Sequence, residues 1–191
     1  QLTNLETLNL GYNDLTGSID SSIGNLTNLE TLILEVNSLT GEIPSEIGSL
    51  TNLELLRLNI NDLSGEIPSE LGSLTNLKTL ILLSNNLSGS IPVELSYLVN
   101  LEHLSLFDNQ LTGTIPPELG SLINLTVILN LANNNLTGEI PSELGALTNI
   151  EIIRLSDNQL TGEIPSEIYN LSSLKEISFK DNILTGSIQE D

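Results

Sequence analysis

The side chains that most often perform catalysis or bind metals are scarce in this chain of 191 residues. There is one histidine, His103, and no cysteine, which excludes thiolate metal sites and Cys–His nucleophile pairs. No GxSxG, P-loop, HExxH or EF-hand sequence occurs. Carboxylates are abundant, but they recur on faces that we expect to be solvated. We therefore predict a chain that is not an enzyme, with no catalytic residues, no metal and no cofactor.

The charge balance is strongly acidic. The sequence has 25 Asp and Glu against 5 Lys and Arg, a formal net charge of −20. Nucleic acid is excluded as a partner, because phosphate binding needs clustered cations. No apolar run approaches the length of a membrane span, so we expect no membrane insertion by this segment. Hydrophobic residues make up 39% of the chain, which is enough for a core.

A pattern of about 24 residues recurs along the whole chain, which is the signature of a solenoid. Its Leu-x-x-Leu phrase begins at Leu2, Leu26, Leu50, Leu74, Leu98, Leu122, Leu147 and Leu171. We interpret residues 1–191 as a single solenoid of about eight repeats without caps. One extra residue falls within 125–131, where we expect a bulge or a bent loop.

Each repeat combines two alternating segments with one turn. In Leu56-Arg57-Leu58 the leucines point inward, so the stacked repeats form a parallel sheet. Leu-Thr-Gly-Glu-Ile predicts a second, shorter strand, and Pro-Ser-Glu-Leu-Gly a helical turn. An asparagine after each first strand is expected to turn its amide inward and bond backbone groups. The predicted ladder comprises Asn13, Asn37, Asn61, Asn85, Asn109, Asn134, Asn158 and Asn182.

The residues of this pattern, LxxLxxLxLxxNxLxGxIPxxLGx, closely resemble the plant-specific class of leucine-rich repeat, over essentially the whole chain. That class occurs in receptor-kinase ectodomains and in polygalacturonase-inhibiting proteins. The resemblance implies a right-handed α/β solenoid, with the parallel sheet on the concave face and short second strands and 3-10 or helical turns on the convex side. It also implies a recognition module for a protein or peptide, extracellular or at the cell surface. The cysteine-paired caps of the family are missing, and Asp20 and Gln189 replace a proline of the other repeats.

Information about a ligand must lie where the repeats differ, on the outward positions of the first strands. Aligning these positions brings together five apolar side chains: Ile33, Leu55, Ile81, Leu83 and Phe107. Contiguous exposed apolar surface marks an interaction site. Arg57 and His103 border the cluster, and Glu35 lies at its edge. The alternative is that β-branched residues merely suit strands.

Arg57 and Arg154 project from the same outward column, so they could meet an acidic ligand group such as a peptide carboxylate. The alternative is local pairing with glutamates one strand away. His103 could titrate near neutral pH, or it is an ordinary surface residue.

Three other functions stay open beside peptide recognition. The chain could inhibit a secreted cell-wall-degrading enzyme, or serve as a spacer in a longer array. A Thr/Ser ladder on the opposite flank could match an ice lattice, although glutamate occupies four of the eight positions two residues further on.

Two surface features depend on the context of the chain. Asn-x-Ser/Thr sequences mark five candidate N-glycosylation sites, relevant if the chain is secreted: Asn25, Asn86, Asn124, Asn135 and Asn170. A solenoid without caps exposes an apolar cross-section at each end. We therefore expect a fragment of a longer array, or self-association through the uncapped ends.

Overall fold

A computed structural model describes residues 2–187. Gln1 and residues 188–191, which include Gln189 and both limits of the predicted domain, lie outside the described residues. The strands are β1 (Thr7–Asn9), β2 (Thr16–Gly17), β3 (Thr31–Ile33), β4 (Ser38–Glu42), β5 (Leu55–Arg57), β6 (Asp62–Glu66), β7 (Thr79–Ile81), β8 (Asn86–Ser88), β9 (His103–Ser105), β10 (Ile128–Asn130), β11 (Thr137–Glu139), β12 (Ile152–Arg154), β13 (Gln159–Thr161) and β14 (Glu176–Ser178). Seven 3-10 helices span Ser21–Asn25, Ser45–Ser49, Ser69–Ser73, Val93–Tyr97, Pro117–Ser121, Ser142–Ala146 and Ser166–Asn170.

The first strands of the repeats form one parallel sheet of eight strands. Its order is β1-β3-β5-β7-β9-β10-β12-β14, so each strand pairs with those of the neighbouring repeats. The middle residue of each strand points inward: Leu56, Leu80 and Leu104 are completely buried. These leucines join those of the turns in one continuous core. The outward residues are therefore aligned in columns, as the period-2 alternation predicts.

Within residues 2–187, second strands follow six of the eight first strands. β4 and β6 have five residues each and are longer than the three-residue first strands, which corrects the expectation of shorter second strands there. β2, β4, β6 and β8 form one small parallel sheet, and β11 pairs with β13. Between these two sheets only single-residue bridges join Ser90 to Thr112 and Thr114 to Thr137. The repeated glycine lies in or beside these strands with a positive φ, +80° at Gly65, which a residue with a Cβ disfavours.

The 3-10 helices stack on the convex side. Six of them have proline at the N-cap and no side-chain cap there. At the first helix Asp20 replaces proline, and its Oδ1 accepts a hydrogen bond from Ser22 N at 2.8 Å. Helices of successive repeats approach closely: a Cβ on Gly72 would lie 2.5 Å from the carbonyl oxygen of Glu94. Glycine is therefore required by packing at this position.

Asparagine side chains link successive repeats, and Asn85 illustrates the arrangement. Its Nδ2 donates to Leu58 O and Leu82 O, both at 3.1 Å, and its Oδ1 accepts from Leu63 N at 3.1 Å. The same three contacts occur at Asn37, Asn61, Asn109, Asn134, Asn158 and Asn182. One side chain thus satisfies backbone groups in two repeats.

A second asparagine ladder was not anticipated. The side-chain amides of five asparagines donate to a carbonyl 25 residues earlier, at 2.7–2.9 Å: Asn28, Asn52, Asn76, Asn100 and Asn124. The sequence signal was the asparagine that recurs in the Leu-x-x-Leu phrase.

The extra residue of the sixth repeat lies in the loop before β10. The chain bends at Val127, whose N–H donates to Glu102 O at 2.9 Å. β10 still pairs in register with β9, Ile128 opposite His103. The predicted bent loop therefore leaves the sheet intact.

The predicted fold class is confirmed: parallel first strands line the concave face, and second strands and 3-10 turns lie on the other side. Among the helices of residues 2–187, none combines the length and the apolar character that crossing a membrane requires.

Candidate functional site: the concave surface

The residues proposed for ligand binding lie mostly together on four neighbouring strands. Leu55 and His103 flank Thr79 in one column, and Arg57 pairs with Ile81 and then Ser105 in the next. We use the term concave surface for ten of the outward residues in the region from β3 to β9. They are Ile33, Glu35, Leu55, Arg57, Asn59, Ile81, Leu83, His103, Ser105 and Phe107. Arg154 lies on β12, and three strands separate it from Arg57 on β5.

The five apolar members of this surface differ in how far they are buried. Ile33, Leu55, Leu83 and Phe107 are half-buried, with part of each side chain open to a ligand. Ile81 is only 8% exposed, which corrects the expectation that it faces solvent. Ile81 therefore offers little surface to a ligand.

The two arginines differ in their pairing. Arg154 donates from Nε and Nη2 to the carboxylate of Glu176, at 2.6 and 3.0 Å. This bidentate pair lowers the pKa of Glu176, chiefly through the hydrogen bond. Arg57 has a looser partner, because its Nη1 lies 3.8 Å from Glu35 Oε1. Arg57 therefore retains more capacity for an anionic ligand than Arg154.

Three buried polar side-chain atoms within residues 2–187 have no hydrogen-bond partner, and all three belong to the concave surface. They are Arg57 Nε, Asn59 Oδ1 and Ser105 Oγ. Asn59 is 7% exposed and Ser105 is 2% exposed. Buried polar groups in native proteins are almost always paired, so three orphans on one face are unusual. Asn59 and Ser105 were missed in the sequence, where their signal was a polar residue at an outward position beside apolar neighbours.

His103 contributes a polar group whose charge is suppressed. Burial lowers its pKa, and the positive charge of Arg57 lowers the pKa further. At neutral pH the imidazole is therefore neutral, so one nitrogen can donate a hydrogen bond and the other can accept one.

The chemistry available on this surface is recognition. Half-buried apolar side chains surround a guanidinium, an amide, a hydroxyl and a neutral imidazole, which together can bind apolar and acidic groups. Within the part of the chain that the structure describes, no three His, Asp or Glu side chains converge to hold a metal ion.

The charged side chains of the whole molecule are mostly acidic. Each of the five cations has an acidic neighbour: Arg57–Glu35, Lys78–Glu54, Arg154–Glu176, Lys175–Glu151 and Lys180–Asp181. The alternative of local pairing thus describes Arg154 well and Arg57 only loosely.

The remaining predicted surface features lie away from the concave surface. On the flank, hydroxyls of Thr112, Thr137 and Thr185 donate to a glycine carbonyl of the preceding repeat, each at 3.2 Å. All five candidate glycosylation asparagines are exposed, and none lies on a strand of the eight-stranded sheet: Asn25, Asn86, Asn124, Asn135 and Asn170. Asn124 also belongs to the second ladder.

Comparisons with known proteins agree with the geometry. The Leucine Rich Repeat family model matches seven segments: residues 4–26, 28–50, 52–74, 76–98, 100–122, 126–147 and 149–171. No curated protein matches the chain in a sequence comparison.

Among solved structures, the chain is similar to two receptors and to an ice-binding protein. The PEPR1–AtPEP1 structure is 37% identical, with a TM-score of 0.94 over 98% of this chain and 26% of that chain. The Arabidopsis receptor kinase HAESA, in complex with the peptide hormone IDA and the co-receptor SERK1, is 42% identical, with a TM-score of 0.92 over 97% of this chain and 31% of that one. A plant ice-binding protein is 29% identical, with a TM-score of 0.78 over 99% of this chain and 68% of that one. The chain spans less than a third of the length of either receptor chain.

Proposed function

Because the chain belongs to the leucine-rich repeat family, we propose that it is a recognition module whose concave surface binds an extended peptide or protein segment. The observation that carries this proposal is the set of unpartnered buried atoms Arg57 Nε, Asn59 Oδ1 and Ser105 Oγ. Leaving a buried polar group unsatisfied costs about 1–3 kcal/mol, so a ligand that shifts these side chains and pairs with these atoms gains affinity.

The surrounding side chains define the class of ligand. An acidic group fits beside Arg57, whose side chain is 38% exposed and has only a loose ion pair. Apolar side chains fit on Ile33 and Leu55 on one side and on Leu83 and Phe107 on the other. An extended segment with an acidic residue between apolar residues therefore matches the surface.

The proposed context is an extracellular one, as a segment of a receptor ectodomain or as a soluble adaptor. The similarity to HAESA in complex with a peptide hormone and a co-receptor supports peptide recognition.

The test is selection of 12-residue peptides from a displayed random library, followed by affinity measurements with synthetic copies. Arg57→Gln, Leu83→Asp and Phe107→Asp should each weaken binding at least tenfold, with unchanged circular dichroism. Arg154→Gln is the matched control and should stay within twofold, because Arg154 is already paired and lies outside the surface. Affinity that survives all three substitutions, or an equal loss in the control, contradicts the proposal.

The parent chain can also be assayed for the inhibitor and spacer functions. Stoichiometric inhibition of a pectin-degrading enzyme would favour an inhibitor. Failure to select any peptide, with no inhibition, would favour a spacer.

Ice binding is the second candidate, and the similarity to a plant ice-binding protein favours it. Against it, Glu42, Glu66, Glu139 and Glu163 interrupt the Thr/Ser flank with strongly hydrated carboxylates. A thermal-hysteresis measurement at high protein concentration decides, and no hysteresis removes this candidate.

A further inference from the structure

One edge of the solenoid is polar in most repeats and apolar in its middle repeats. This edge joins the end of each 3-10 helix to the start of the next strand of the concave sheet. Its two positions flank the first leucine of each repeat, and elsewhere they are mostly polar. These polar residues are Thr3, Asn25, Thr27, Ser49, Thr51, Ser73, Thr75, Ser121, Thr148, Asn170 and Ser172.

Four apolar residues interrupt this polar edge, and we call them the rim patch: Tyr97, Val99, Ile123 and Val127. Tyr97, Val99 and Ile123 occupy the two edge positions, and Val127 lies at the bend in the loop before β10. Their exposed fractions are between 43% and 59%. None of the four contributes to the core, and apart from the small Ala146 the corresponding residues of other repeats are hydrophilic. Folding therefore gives no reason for apolar residues here.

Hydrogen bonds place these residues side by side. The Asn124 side chain donates to Val99 O at 2.8 Å, which stacks the Ile123 turn on the Val99 turn. Stacked strands lie about 4.8 Å apart, close enough for neighbouring side chains to form one surface. Val99 N–H donates to Tyr97 O, and Val127 N–H donates to Glu102 O, both at 2.9 Å. Exposed contiguous apolar surface marks an interaction site.

Acidic residues border the rim patch on both sides. Glu102 and Glu151 directly precede β9 and β12 on the strand side, and Glu151 is paired with Lys175 at 2.7 Å. Glu94 and Glu118 lie in the first turns of the 3-10 helices on the other side. The cation nearest to Glu102 on this edge, Lys78, is held by Glu54 at 2.7 Å. The apolar patch therefore lies in a negative field.

We propose that the rim patch is a docking surface for a partner protein segment whose apolar residues are flanked by Lys or Arg. Apolar contact supplies affinity, and the surrounding cations match the negative border. A second copy of this chain fits poorly, because it would bring together two molecules with a formal charge of −20 each. The rim patch lies at the amino ends of the strands, whereas the concave surface uses their outward residues. The two surfaces are therefore separate.

The test uses a labelled 14-residue amphipathic peptide of Leu and Lys, with a Leu and Glu peptide of the same pattern as its charge control. The chain is produced in a bacterial host, because a glycan on Asn124 would cover the patch. The Leu/Lys peptide should bind at 150 mM salt and the Leu/Glu peptide should not. The triple variant Tyr97→Ser, Val99→Thr and Ile123→Thr should weaken binding at least tenfold. It introduces only residues that other repeats carry at these positions, so it should fold.

Two control variants show whether the peptide binds at the rim patch or at another surface. Val93→Ser removes an exposed valine from the same 3-10 helix as Tyr97, and Phe107→Asp disrupts the concave surface; each should stay within twofold of the parent. Unchanged binding by the triple variant would overturn the proposal, because general charge attraction would then suffice. Equal binding of the Leu/Glu peptide would overturn the charge argument. Light scattering that shows a dimer for the parent and a monomer for the triple variant would identify a second copy as the occupant and reject a basic partner.

Discussion

At the scale of single residues, each repeat holds one residue other than glycine in the left-handed region of backbone space. It directly precedes the ladder asparagine, with φ between 51° and 58°. These residues are Tyr12, Val36, Ile60, Ser84, Asp108, Asn133, Asp157 and Asp181. Asn and Asp tolerate this region, whereas β-branched residues are strained there. Val36 and Ile60 thus carry strain that other repeats avoid.

Replacement of Ile60 by asparagine should stabilise the chain. Ile60 is exposed, so little apolar burial is lost, and relief of the backbone strain is worth about 1 kcal/mol. Urea unfolding should show a higher midpoint with an unchanged slope. Ile123→Asn is the control, since Ile123 is exposed without a positive φ. A lower midpoint for Ile60→Asn, or an equal gain in the control, would refute the strain argument.

The pKa of His103 can be measured directly, and it reports the burial and the electrostatic potential at the concave surface. Burial and then Arg57 lower the pKa of His103, so its NMR titration midpoint should lie below the ordinary value of about 6.5. Arg57→Gln should raise the pKa, although not fully, because the burial remains. Arg154→Gln should leave the pKa unchanged. A midpoint at or above the ordinary value would contradict the burial of this side chain.

The lowered pKa of His103 also sets the sign of its effect on folding. The unfolded chain protonates this imidazole at a higher pH than the folded chain does. Its contribution to stability is therefore fully present above the unfolded value and is lost as the pH falls through the interval between the two pKa values. His103→Gln should reduce this part of the acid dependence of the unfolding free energy.

At the scale of elements, the asparagine ladder links neighbouring repeats. The contribution of each asparagine to the free energy of unfolding depends on its position in the stack. Asn85→Ala removes bonds to Leu58 O, Leu82 O and Leu63 N. Leu58 O and Leu82 O keep bonds from Asn61 and Asn109, whereas the buried Leu63 N–H loses its partner. We expect a loss of about 2 kcal/mol in the free energy of unfolding.

The first ladder asparagine provides a control in the same chain. Asn13 is exposed and donates only to Leu10 O and Gly11 O, within its own turn. Asn13→Ala should therefore lower the unfolding free energy by less than about 1 kcal/mol. Equal losses in Asn13→Ala and Asn85→Ala would show that links between repeats contribute nothing beyond the local turn.

The elements were largely predictable because each repeats with the same spacing. Alternation around Leu56 predicted the first strands, and Gly65 with its neighbours predicted the second. The strained backbone at Ile60 was not predictable, since no local signal distinguishes it from an ordinary exposed residue. Side-chain pairing was also out of reach: Arg57 and Arg154 share one outward column in the sequence, and only the distances to Glu35 and Glu176 distinguish their pairing.

At the scale of the whole molecule, like charges recur at the repeat spacing. Glutamates in the first turns of six 3-10 helices form one column: Glu46, Glu70, Glu94, Glu118, Glu143 and Glu167. With few cations to offset it, this column repels itself along the stack. Stability should therefore depend on screening by salt.

Thermal unfolding should shift upward with ionic strength. From 10 to 150 mM NaCl the Debye length falls from about 30 Å to about 8 Å. We expect a gain of about 1 kcal/mol, equivalent to about 2–4 °C in the midpoint. KCl at the same ionic strength should give the same shift, and the double variant Glu70→Gln and Glu94→Gln should respond less. A midpoint that falls with salt would mean that the attractive pairs, such as Lys78–Glu54, outweigh the repulsion.

The bent loop before β10 shows where the spacing between repeats is free to vary. The additional residue lengthens the path from Leu125 to Ile128, yet the strand pairs as its neighbours do and Asn134 keeps its ladder bonds. Insertions at this edge therefore leave the stacking undisturbed, whereas one residue added between Ile128 and Asn134 would displace the amide from its partners. We therefore expect Val127 to be the position of choice for grafting an epitope tag or a fluorophore attachment site, provided that the rim patch is not required.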